Sequence, residues 1–273
     1  PALTMALKRH FPAPPAYNLV VLPFDKEEAE SPTCVYNAGT CLKSSYLAAD
    51  AVFLVDNQKY STEGPSQRET LDRINATTVA PFYNLLCAGE EKSPANIGGK
   101  TLDAGDIIQS LTGWTVIGRG TDRKEPRPPI IPALGSEDKH PVDSQLAVVE
   151  KGISLVSEAL DELSLECNPQ DATRALYLLA APPETMRISL LKEIGSSLKR
   201  AAPQAIIRGG DYPRRGRPME LSLILSGLGD VTRVTALFNK AIGYIKGETL
   251  GHKRKTSSEK PDEEAFGRIP LLL

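Results

Sequence analysis

Apolar and polar residues follow one another along this chain in short blocks that switch between two periods. "NLVVLPF" (18–24) and "DAVFLVDN" (50–57) are apolar runs of strand length, and the polar pair Asp56-Asn57 closes the second. Between them 36–48 has helical spacing, as does 2–10, which "FPAPP" stops. "GPSQRETLDRINATTVAPFYNLLCAG" sets Leu71, Ile74, Phe82 and Leu85 near helical spacing, so a longer helix is expected, with Pro81 kinking it or marking a broken start. A polar, glycine-rich stretch over 90–100 is a candidate domain boundary. "TLDAGDIIQSL" then leads into a helix up to Leu111, and "WTVIG" reads as a strand. Further on, 143–163 is an amphipathic helix, "RALYLLA" a strand, 184–200 a helix, "QAIIR" and "MELSLILSG" strands, and 230–245 a helix.

Strands alternating with helices predict an α/β fold with a parallel sheet covered on both faces. Ligands of such sheets bind beyond the carboxyl ends of the strands, which is where Asp56 and Asn57 stand. The second half, with its own strands and helices, reads as a separate α/β unit, and the length of 273 residues is natural for two domains. "DKEEAES" reads as an acidic loop; "IGRG" and "IRGG" read as glycine turns. Residues 119–142, crowded with proline and charge, form a long loop carrying Arg119, Arg123, Lys124 and Arg127, either a lateral or partner contact or plain surface. The mixed-charge tail from 251 is expected to lack fixed structure before its apolar end, "FGRIPLLL".

Bulk composition narrows the classes. A net charge of -2 offers no basic surplus for nucleic acid, and no apolar run approaches a membrane span. Cys34, Cys41, Cys87 and Cys167 are scattered, as expected of reduced cysteines in a cytoplasmic protein. His10, His140 and His252 show no ligand spacing, so no metal site is expected from them. No nucleophile-base pair of a small-molecule enzyme stands out.

What remains is "GGKTLDAGDIIQSL", with Asp103 and Asp106 at one helix entrance and no histidine, cysteine pair or third acid nearby. Such aspartates commonly cap the helix and meet its dipole. They also have the chemistry to orient a water and accept its proton. The residues alone leave both readings open.

The ordered set of motifs resembles the tubulin/FtsZ family of GTP-dependent filament proteins, nearest to its archaeal FtsZ-like or CetZ-like branch. In "VYNAGTCLKSSYLAADAVFLVDN" the Tyr36-Asn37 pair, Asp50 and the terminal Asp56-Asn57 keep the family's spacing. "TLDAGDIIQSL" is similar to the FtsZ synergy loop, with Thr101 where that pattern has asparagine. "VLPF" and "LSLILSGLGDVTRVTALFNKA" also resemble FtsZ segments, and the likeness runs from Pro1 to about Ile245.

The resemblance implies the carboxy-terminal part of a tubulin/FtsZ fold. Residues 1–65 would be the rear of a parallel-sheet GTP-binding domain and 66–89 the long central helix. Residues 90–250 would be a smaller α/β domain with its synergy loop at 98–106, and 251–273 a flexible tail. "PALTMALKRHF" resembles the helix that follows the family's glycine-rich phosphate loop, so a start in mid-fold is expected, with that loop in a missing amino-terminal part. Asp106, and with it Asp103, would act on the nucleotide of a neighbour in a head-to-tail protofilament, giving a GTPase with a role in cell division or shape. Asn57 and Asn75 would read the guanine edge, Leu71 takes the place of a base-stacking aromatic, and Glu27 or Glu30 would contact the ribose. GTP or GDP is the implied ligand, with Mg2+ admitted beside it, and the tail could dock on a membrane adaptor. The alternative is a non-catalytic assembly protein of the same fold, for which Thr101 and Leu71 speak.

Overall fold

The computed structural model describes residues 1–61, 67–90, 99–122, 141–215 and 218–245, together with Ile269 and Leu271. His140, His252, the charged residues 123–127 and the polar tail lie outside the described residues, so their expectations are not addressed by it.

The elements run α1 (Ala2–His10), β1 (Tyr17–Leu22), α2 (Asp25–Glu30), α3 (Pro32–Ala48), β2 (Ala51–Asp56), α4 (Gln67–Glu90) and α5 (Ala104–Ser110). They continue with β3 (Gly113–Thr121), α6 (Pro141–Asp161), β4 (Arg174–Ala181), α7 (Ile188–Ala201), β5 (Ile206–Pro213), β6 (Glu220–Leu228) and α8 (Thr232–Ile245). Among the described residues the strands form one six-stranded sheet in the order β1-β2-β3-β6-β4-β5. Parallel pairing joins β1 to β2, β2 to β3 and β4 to β5, while β6 runs antiparallel to both β3 and β4. Every strand but β6 therefore points the same way. The strands before and after α4 meet where Ala51, Val52 and Phe53 pair with Gly113, Trp114 and Thr115.

Strands buried on both faces read as unbroken apolar runs, and β2 is buried at every position. Its alternate residues serve two cores. Val52 and Leu54 join the cluster under α3, α6, α7 and α8, whereas Ala51 and Phe53 join Leu85 and Ala88 of α4. Among the described residues, the long helix α4 shares its face with the segment around α5. It runs through Pro81 without interruption, and Phe82 meets the Phe53 ring edge-on at 4.8 Å. Among the described residues no helix is long and apolar enough to cross a membrane.

Three sequence expectations change here. Arg119, expected in the loop 119–142, lies inside β3 and pairs with Glu220 of β6. "DKEEAES" is not a loop: Asp25–Glu30 is helical, because the Glu27 carboxylate accepts the Phe24 N–H at 2.9 Å and Glu28 turns inward to basic partners. "IGRG" and "IRGG" are not turns but lie within β3 and β5. A Cβ on Gly118 or Gly120 would come within 2.1 Å of the α6 carbonyls of Ala159 and Leu155, so these glycines let α6 lie directly on the sheet.

Candidate functional site

At the carboxyl ends of β1 and β2 the chain leaves an open cavity of about 580 Å³, lined by Leu22, Pro23, Glu27, Cys34, Asn37 and Asn57 among others. The local sequence explains its walls. Pro23 ends β1, and α2 starts at once with Glu27 folded back on its own amino end. Ser31 then caps α3, accepting the Cys34 N–H at 3.3 Å, with Pro32 in the first turn. Asn57 opens a tight 3-10 turn (Asn57–Tyr60) after β2, and the Asp56 carboxylate accepts the Gln58 N–H at 3.1 Å. Gln58 in turn accepts the Asp25 N–H, tying this turn to α2. The wall is polar where a ligand edge would meet it: an amide at Asn37 and at Asn57, a carboxylate at Glu27. Burial and the nearby Glu27 and Glu28 push the Cys34 thiol above its ordinary value.

The fold therefore joins two of the sequence candidates, Glu27 and Asn57, in one cavity. Glu30 stands apart at the end of α2, paired with Lys26 at 3.8 Å in solvent. Asn75 and Leu71 are exposed on α4, one turn apart, and do not line the cavity. Between them Ile74 packs with Tyr60 and Val55, so that part of α4 leans on the Asn57 turn.

Asp56 faces the other way. Its carboxylate lies 3.3 Å from Nε of Arg233 in α8, and Arg233 also pairs with Asp25 at 3.2 Å and with Glu28. Lys240 completes the pair with Glu28, and Arg233 donates to the Pro23 carbonyl at 2.9 Å. Burial raises the Asp56 pKa, against the pull of Arg233. One guanidinium from α8 thus holds the end of β1, helix α2 and the end of β2. Sequence reasoning missed Arg233 and Glu28, since nothing in "DVTRVT" announces a partner 205 positions earlier.

The Asp103–Asp106 segment is built around Asp211. This nearly buried β5 carboxylate accepts the N–H groups of Gly99 (2.9 Å) and Lys100 (2.5 Å), and its own N–H donates to the Lys100 carbonyl. Leu102 is buried beside Gly210, which has no side chain to keep it out. With the loop pinned, Asp103 caps α5, accepting the Asp106 N–H at 2.7 Å, and Asp106 reaches back to the Asp103 N–H at 3.5 Å. The second Asp106 oxygen lies 3.6 Å from Nε of Arg208. Thr101, Asp103 and Ala104 remain exposed. Capping is thus realised, and both acids still face solvent. Asp211 was also missed; a carboxylate inside the strand "IIRGGDYP" was its one signal.

These two regions lie at opposite ends of the sheet. α5 is tied to the amino-terminal parts of β4 and β5, where Arg174 donates to the Gln109 carbonyl at 2.9 Å and Arg208 to its side chain at 2.7 Å. The cavity sits at the carboxyl ends of β1 and β2. Strands of this length span about 20 Å, and β1 and β4 are four strand spacings apart, roughly 19 Å more across the sheet. Asp106 cannot reach the cavity of its own chain.

Comparison with known proteins then gives a consistent result. A family model described as the C-terminal domain of tubulin-like CetZ matches residues 64–243. The tubulin-like protein CetZ1 of Haloferax volcanii is 30% identical over 251 residues, covering 89% of this chain and 62% of that protein. CetZ2 of the same organism is 27% identical over 250 residues, covering 91% and 64%. The solved structure of CetZ2 as a GTPγS-bound protofilament aligns with a TM-score of 0.69 at 26% identity, over 91% of this chain and 66% of that one. This chain spans less than two thirds of the length of those two curated relatives.

Proposed function

The chain belongs to the tubulin-like CetZ family, and from that premise we propose that it is the carboxy-terminal portion of a guanine-nucleotide-binding protein that assembles head to tail and hydrolyses GTP between subunits. The observation that carries this reading is the placement of the cavity and of Asp103 and Asp106 at opposite ends of one set of co-directed strands. Copies stacked end to end along the strand direction, with a shift across the sheet, would bring the acids of one copy to the cavity of the next. A related protein of the family is known as a GTPγS-bound protofilament, which supports the same arrangement here.

In this reading Asn57 and Asn37 offer paired donors and acceptors to the guanine edge, and the Glu27 carboxylate accepts from a ribose hydroxyl. On α4, which leans on the Asn57 turn through Ile74, Asn75 and Leu71 would close over the base from the solvent side. Phosphate binding falls to a part of the fold beyond α1 and β1. Both present apolar residues to solvent, Leu3 and Leu7 on one and Leu19 and Val21 on the other, a surface suited to packing against a further element. Mg2+ would be held through the phosphates and water. Asp106 of the neighbour would orient the attacking water and accept its proton, with Arg208 beside its carboxylate.

A second reading, a non-catalytic assembly protein, draws on the capping box: both acids already have a structural task at α5. It predicts assembly that is indifferent to GTP.

Cys34 provides the test of the cavity. Guanine nucleotide is expected to slow alkylation of Cys34 by a maleimide at alkaline pH, while adenine nucleotide does not. Cys167, whose thiol burial pushes up to about 11 and which lies in a separate crevice, serves as the unprotected reference. Equal Cys34 rates with and without GTP would place the nucleotide elsewhere.

A further inference from the structure

The end of the chain holds an observation that the nucleotide reading does not use. Ile269 is completely buried and belongs to the main apolar cluster, together with Leu42 of α3 and Phe238 and Ile242 of α8. Lys43, itself only 8% exposed, donates from its ammonium to the Ile269 carbonyl. We propose that α3 and α8 form a socket for the chain's own carboxy-terminal segment, with Ile269 as the apolar anchor and Lys43 as the grip on its main chain.

The geometry of the two helices shows how the socket arises. A Cβ on Gly39 would lie 2.7 Å from that of Ala241, and the Tyr36 and Tyr244 rings sit 5.8 Å apart. As numbers rise on α3 they fall on α8, so the helices pack antiparallel. Lys43 is one turn past Gly39 on the same face, level with the middle of α8 rather than with its end. A lysine facing an apolar seam must find an oxygen for its ammonium, and its stem can lie along the apolar wall.

Ile269 is suited to supply that oxygen. It precedes Pro270, which biases it to an extended backbone rather than a helical one. Its carbonyl accepts the Lys43 ammonium instead. The connection is long enough: from the end of α8 back to the level of Lys43 is about 12 Å along the helix. Residues 246–268 can span several times that distance at about 3.3 Å per residue.

A tethered ligand of this kind acts at an effective concentration on the order of millimolar, so a modest anchor keeps the socket filled. Leu271, two residues on, is already exposed. The proposed self-ligand thus reaches solvent two residues past its anchor.

The test uses the full chain and a fluorescent peptide of sequence FGRIPLLL. Ile269→Asp should empty the socket, so the peptide should bind this variant at least about tenfold more tightly than the unaltered chain, whose socket is occupied. Adding Lys43→Met should weaken that binding, and a peptide with aspartate in place of its isoleucine should not bind. Hydrogen exchange at residues 39–46 should rise in Ile269→Asp and fall again with peptide, which also shows that the variant is folded. Equal peptide binding by the two chains, or unchanged exchange in α3, would overturn the proposal. Loss of an oligomer in Ile269→Asp would place the segment in a neighbour's socket and overturn the assignment within one chain.

Discussion

Asp106 sits in a capping box with Asp103, and asparagine at that position retains the oxygen that accepts the Asp103 N–H while losing the acid. Asp106→Asn therefore separates structure from chemistry. Helix α5 and thermal stability should be nearly unchanged, and nucleotide binding and assembly should persist. GTP turnover should fall by about 10² to 10⁴, the usual worth of a positioned general base. Steady-state phosphate release measures this, and full turnover in Asp106→Asn would leave the acid with capping alone. Asp211 supports the same site at one remove, since its carboxylate fixes the Gly99 and Lys100 amides from which the loop proceeds.

At the scale of elements, the junction between β2 and β3 depends on more than its short register. Ser164, after α6, donates from its hydroxyl to the Leu54 carbonyl at 2.6 Å and accepts the Ile117 N–H at 3.1 Å. Its backbone bonds the same two strands, to Ile117 and Asp56. Ser164→Ala leaves buried partners on both strands unsatisfied and should cost about 1–3 kcal/mol in urea unfolding. A change within error would mean that the strands hold together without it.

The elements most legible in the sequence were those whose burial is local in pattern. "AVFLVD", buried on both faces, and the amphipathic residues of α6 announce themselves by spacing alone. Segments decided by distant partners were not legible. The helix α2 depends on Glu28 meeting Arg233 and Lys240 from α8, and the glycines of β3 depend on α6 lying against them. The candidate site divides in the same way. Motif resemblance singled out Asn57 and, beside Glu30, Glu27, and these two line the cavity, while Asp211, Arg233 and the Ile269 anchor depend on contacts 112, 205 and 226 positions apart.

For the whole molecule, the cavity at one end of the sheet and Asp106 at the other make the chain directional. In the proposed arrangement a heterologous contact that does not close would repeat into a filament. It would also split the reaction between copies, a claim that two inactive variants can test together. In the protein carrying this chain, one variant is Asp106→Asn, with an intact cavity, and the other combines Asn57→Ala with Glu27→Ala, with an intact acid. Each should be nearly inactive by itself. Mixed in equal amounts, they should recover up to about a quarter of the unaltered GTP turnover, since that share of random head-to-tail junctions joins an intact cavity to an intact Asp106. A mixture as inactive as its separate components, in filaments shown to contain both, would contradict the account.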